Sequence, residues 1–107
     1  MSRKRIPARR AAETFTFDHS YPGAGPRTFT ASVGYYPDGR IGEVFVHLVN
    51  GAEKLVTVDA HDAAIVLSIA IQCGASLKSI AKSMLRGEDG IPQGFLGSLL
   101  DAIIAHG

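Results

Sequence analysis

The sequence predicts an α+β domain, a small antiparallel sheet of three to four strands followed by three helices packed on one of its faces. Three observations carry this. Apolar and small polar side chains alternate with period two through residues 28–35, the pattern of a half-buried strand. The run Tyr36-Pro37-Asp38-Gly39-Arg40 has hairpin-turn chemistry: Pro37 fixes one φ, Asp38 can bond its own backbone, and Gly39 takes a positive φ. Strand patterns then give way to helical ones that last to the end of the chain, which separates sheet from helices in sequence.

The elements follow in order. Residues 1–12 form a basic arm, kept extended in part by Pro7, and residues 13–107 form a single domain. Residues 14–17 alternate Thr and Phe, so Phe15 and Phe17 are expected on the core side of a first strand. Residues 21–26, rich in Gly and Pro, read as a loop. The central hairpin spans 28–49, and its return strand, apolar on both faces, reads as an interior one. Gly34 and Gly42 weaken these strands unless they mark a bulge or a close backbone approach. Residues 54–58 fit either a short strand or the approach to a helix. From Asp59, an N-cap candidate with Asp62 in the first turn, a helix runs to Gly74. Its apolar run 63–71 predicts burial on every side, with Leu67 and Ile71 in the core. Ser76 caps a second helix over 76–86, striped by Leu77, Ile80, Ala81, Met84 and Leu85. Pro92 suits the first turn of a third, striped by Phe95, Leu96, Leu99, Leu100, Ile103 and Ile104.

Charge is distributed unevenly. Arg3, Lys4, Arg5, Arg9 and Arg10 lie in a stretch of twelve residues without an acid, whereas the remaining 95 residues carry six basic and ten acidic side chains. A basic arm on an acidic body is suited to an anionic partner, and these five residues are the candidate anion or nucleic-acid contacts. The basic start is not followed by an apolar stretch, which argues against a signal peptide. No apolar run reaches the roughly 20 residues of a spanning helix. A soluble, cytoplasmic chain without membrane contact is expected.

Catalytic chemistry is sparse. Cys73, the one cysteine, excludes an internal disulfide and an all-cysteine metal site, and no base adjoins it in sequence. His19, His47, His61 and His106 have no metal-ligand spacing, so neither metal nor cofactor is expected. Glu43 and His47 share a strand face and, with Arg40, make a candidate pocket at the hairpin. Ala70, Gly74 and Ile80 have the spacing of a helix-turn-helix DNA reader, which would place Lys78, Lys82 and Arg86 on the reading helix.

One resemblance covers most of the chain. The run Arg3-Lys4-Arg5-Ile6-Pro7-Ala8-Arg9-Arg10 resembles the basic-Leu-Pro-basic run leading into the C-terminal, TSCPD-type domain of adenosylcobalamin-dependent ribonucleotide reductases. Such domains also occur in short free-standing bacterial proteins. The likeness continues through residues 38–46, Ala64-Ile65 and residues 68–77, where Gln72-Cys73-Gly74 stands for the family's Gln-aromatic-Gly step, and ends at Ser98-Leu99-Leu100-Asp101. It implies a place in deoxyribonucleotide synthesis, with a reductase subunit, a nucleotide or nucleic acid as partner and self-association left open. The family's cysteine pattern is missing. Ribonucleotide reduction needs one cysteine for a thiyl radical and two that become a disulfide, so Cys73 alone cannot support it. The expectation is therefore an accessory or binding module with no catalysis of its own. The alternative is a DNA-binding regulator using helix 76–86.

Overall fold

The computed structural model describes residues 3, 4, 6, 11–51 and 53–106. Three strands come first, β1 (Ala12–Tyr21), β2 (Gly25–Tyr35) and β3 (Ile41–Leu48). Three helices follow, α1 (Lys54–Gln72), α2 (Leu77–Ser83) and α3 (Phe95–His106). The strands form one antiparallel sheet in the order β1-β2-β3, the α+β arrangement read from the sequence, but β3 is an edge strand and not an interior one, its second apolar side being met by α1.

The hairpin forms where its turn residues place it. Gly39, at φ 89°, donates to the Tyr36 carbonyl at 2.9 Å, and the Tyr36 amide donates to Arg40 at 2.8 Å. The β2–β3 register shifts between Gly34 and Tyr35, so Gly34 does mark a bulge. β1 and β2 are longer than their alternation suggested, and the loop between them shrinks to a tight turn over residues 22–24. Opposed pairs such as Phe17–Phe29 and Ala31–Val46 line one face of the sheet. That face carries the core, built on Phe29, Ala31, Val33, Val44 and Val46 and closed by Leu67, Leu99, Leu100 and Ile103. α1 lies against β3, α3 against β1, and α2 against α3. Thr14, Thr16 and Thr28 on the opposite face are exposed.

The helices depart from expectation in three ways. First, residues 54–58 are helical and Asp59 is not a cap, because α1 starts straight after the Asn50 turn, with the extended Glu53 preceding it. Second, α1 is not buried all round. The row Ala60, Ala64, Ser68 and Gln72 faces inward beside Leu67, while Val66 is 64% exposed and Leu55, Val58, Ile65 and Ile69 also meet solvent. The reason is steric: a helix laid close to strand backbone needs small or hydrogen-bonding side chains there. Leu67 is core, and Ile71 is only partly buried against it. Third, α2 ends at Ser83 rather than 86. Met84 turns extended, and Arg86 forms a β-bridge with Pro92, which therefore precedes α3 instead of entering it.

α1 also corrects the expectation about membrane-length runs. Started at Lys54, it is a 19-residue helix with an 18-residue window of mean hydropathy 1.4, long and apolar enough by length and composition to cross a bilayer.

Candidate anion-binding end of the hairpin

The β2–β3 turn, the C-terminal end of α1 and the described residues of the arm meet at one end of the molecule. Gln72 joins them. Its side-chain amide donates to the Gly42 carbonyl at 2.8 Å, its side-chain oxygen accepts from Arg3 Nε, and its backbone carbonyl accepts from the Lys4 amide at 2.8 Å. The Tyr36 hydroxyl donates to the Lys4 carbonyl. Ile6 lies over Gly42 so closely that a Cβ there would come within 2.6 Å of its Cδ1. Gly42 is thus the close backbone approach that a glycine inside a strand signals.

This scaffold positions cations. Lys4 Nζ and the Arg40 guanidinium each lie 5.2 Å from the centroid of the Tyr36 ring, within cation–π range. Asp38 fixes Arg40: it accepts the Arg40 amide at 3.0 Å and the Arg40 Nε at 2.8 Å. The backbone bond, then the guanidinium, holds the Asp38 carboxyl below its ordinary range. Arg40 and Lys78, with Ile41, Ile71 and Leu77, line a recess of about 370 Å³ between the hairpin tip and the α1–α2 turn. A larger recess, about 670 Å³, lies at the β1–β2 turn and is lined by Glu88 and Asp89 without a cation, which is wrong for an anion.

Of the five arm residues singled out in the sequence, Arg3 and Lys4 are at this end, and Arg5, Arg9 and Arg10 lie outside the described residues. The pocket expected from Arg40, Glu43 and His47 is not one pocket. Arg40 and His47 stand at opposite ends of β3, roughly 23 Å apart along an extended strand. His47 is exposed and lines a separate recess with His61 and Asp62, and Glu43 is buried. Among the described residues no group of three His, Cys, Asp or Glu is placed to hold a metal. Arg86, assigned by its spacing to a reading helix, is instead tied to Asp101 by two bonds of 2.8 Å and to the Ala81 carbonyl at 3.0 Å. That leaves α2 with seven residues, about 10 Å long.

Sequence reasoning missed Tyr36 as a platform, Gln72 as the joint and Lys78 as a partner of Arg40. Gln72 alone left a signal, as an amide at the end of an apolar helix. It also missed His19, which is buried with its Nδ1 2.7 Å from Ser98 Oγ and its ring edge-on to Tyr21. No protein-family model, curated protein or solved structure matches the chain.

Proposed function

We propose that this chain is a non-catalytic binding module of the type that ends adenosylcobalamin-dependent ribonucleotide reductases, and that it engages a phosphate-bearing or acidic partner with the hairpin end. The observation that carries the reading is the gathering of Arg3, Lys4, Arg40 and Lys78 where the arm, the hairpin tip and the α1–α2 turn meet. Three stretches of the resemblance, far apart in sequence, come together there through Gln72. The chain's one cysteine cannot by itself supply the radical-bearing thiol and the two thiols oxidised to a disulfide that ribonucleotide reduction uses. A cytoplasmic setting belongs to the same proposal.

Binding to a labelled DNA duplex, followed by anisotropy over a salt series, tests the anionic-partner half. Each displaced counterion contributes about −0.9 to the log–log salt slope, so Arg3→Gln with Lys4→Gln should flatten it by roughly 2. No binding by the parent chain at low salt would sink polyanion recognition. Deoxyribonucleotide formed by repurified protein with adenosylcobalamin and a dithiol would sink the non-catalytic half.

A further inference from the structure

We propose that the recess between the hairpin tip and the α1–α2 turn is a nucleoside phosphate site, with the phosphates between Arg40 and Lys78 and the base on Ile41, Ile71 and Leu77. This rests on the anionic-partner reading and gives that partner a chemical class. The two cations come from elements far apart in sequence, yet they line the same cavity. Asp38 holds Arg40 through Nε and offsets part of its charge, while its terminal nitrogens make no bond among the described residues. Those nitrogens form the fork that suits phosphate oxygens. Lys78 is exposed and makes no ion pair among the described residues, so it supplies a second, movable charge.

The apolar lining decides between a nucleotide and a bare or sugar phosphate. Ile41, Ile71 and Leu77 are each half-buried and offer aliphatic surface with no hydrogen-bonding side-chain atom. A flat heteroaromatic base gains from that contact, whereas the hydroxyls of a sugar phosphate would lose water there with Ser76 as the one hydroxyl side chain on the lining to meet them. A volume of about 370 Å³ falls in the range of small-molecule sites, and it is too small to admit a duplex. The recess lined by His47, His61 and Asp62 has no lysine or arginine, and the one at the β1–β2 turn is acidic. Of the three, only this one is lined by an arginine and a lysine beside aliphatic side chains.

Amide NMR on the full chain, titrated separately with ATP, inorganic triphosphate and adenosine, tests the assignment. ATP should shift the amides of Arg40, Ile41 and residues 74–78. Arg40→Gln and Lys78→Gln should each weaken it roughly tenfold or more, as expected for lost charge-assisted contacts. Both residues are exposed, and the variants' own spectra establish that they remain folded. Triphosphate should bind at least about tenfold more weakly than ATP, the worth of a buried apolar face. Adenosine alone should leave the spectrum unchanged. Shifts elsewhere, unaltered ATP binding by both variants, or triphosphate binding equal to ATP would overturn the site. If ATP fails while the parent still binds duplex DNA, the recess falls and the binding-module reading stands. If both fail, both fall.

Discussion

The hydroxyl of Ser68 on α1 accepts the amide N–H of Val44 at 2.8 Å, and its own proton is shared between the carbonyls of Ala64 at 2.8 Å and Val44 at 3.1 Å. Val44 lies on β3, which has β2 on one side only, so the helix side chain takes the place of a further strand at that point. Gln72, one turn on, does the same for the Gly42 carbonyl. Two polar side chains on an apolar helix thus block part of an open sheet edge.

Ser68→Ala leaves the buried Val44 amide without its acceptor. Urea unfolding should show a loss of about 1–3 kcal/mol, the cost of an unsatisfied buried donor. An unchanged midpoint would mean that water reaches the strand edge and the helix does not seal it.

The orientation of α1 is tested by neighbours. Leu67→Ala, at a site 2% exposed, should cost about 2–5 kcal/mol. Val66→Ala, at 64% exposure, should stay within about 0.5 kcal/mol. Equal losses would return α1 to a helix buried on every side.

These facings explain what was legible beforehand. The hairpin could be read because Pro37, Asp38 and Gly39 set their own backbone and the flanking alternation needs no distant partner. The inward face of α1 could not. Hydropathy favours burying Ile65, Val66 and Ile69, and only the approach of the β3 backbone makes Ala64 and Ser68 the better fit. The end of α2 was hidden for a similar reason, since Arg86 is drawn away by Asp101, 15 residues further on. The site was half legible. The charges stood out, but their meeting depends on Gln72 reaching Arg3 across 69 residues.

Gly42→Ala should loosen the arm. The added methyl would meet Ile6 Cδ1 at 2.6 Å and the Tyr36 ring at 3.1 Å, and Ile6 is the more yielding of the two. A weakening of about 1 kcal/mol corresponds to roughly fivefold more open arm, read as faster trypsin cleavage after Arg3 and Lys4. Adding Ile6→Ala should restore the parent rate. Cleavage unaffected by Gly42→Ala would show that the arm is held elsewhere.

His19 makes stability depend on mild acid. Burial beside Tyr21 and Phe95 disfavours the imidazolium and lowers its pKa from the ordinary 6.5. The unfolded chain then takes up the proton first, so stability is complete above 6.5 and falls as pH drops through the folded value. Urea midpoints should decline as the pH falls below 6.5 and level off below the folded value, and His19→Gln, which can still meet Ser98, should remove most of the decline. A parent profile as flat as the variant's would refute the argument.

Asp101 governs a more acidic step. The hydrogen-bonded Arg86 guanidinium holds its carboxyl below the ordinary 3.8, so its contribution is present above that value and lost as pH falls through the lowered one. Asp101→Asn should speed amide exchange in the loop 84–94 at neutral pH and do little in strong acid, where the parent has lost the same pairing. Equal effects at both extremes would make the aspartate a packing group only.

The pairing of β1 with α3 has a consequence for synthesis on the ribosome. His19 meets Ser98 and Glu13 meets His106, separations of 79 and 93 residues, and Phe15 stacks on His106. β1 is therefore covered by a helix that is made long after it. At about 5–20 residues per second, the nascent chain carries the apolar side of β1 open for roughly 5–20 s before its cover exists. An apolar-binding chaperone would find its target there, and a stop codon placed ahead of Phe95 would leave that target open for good.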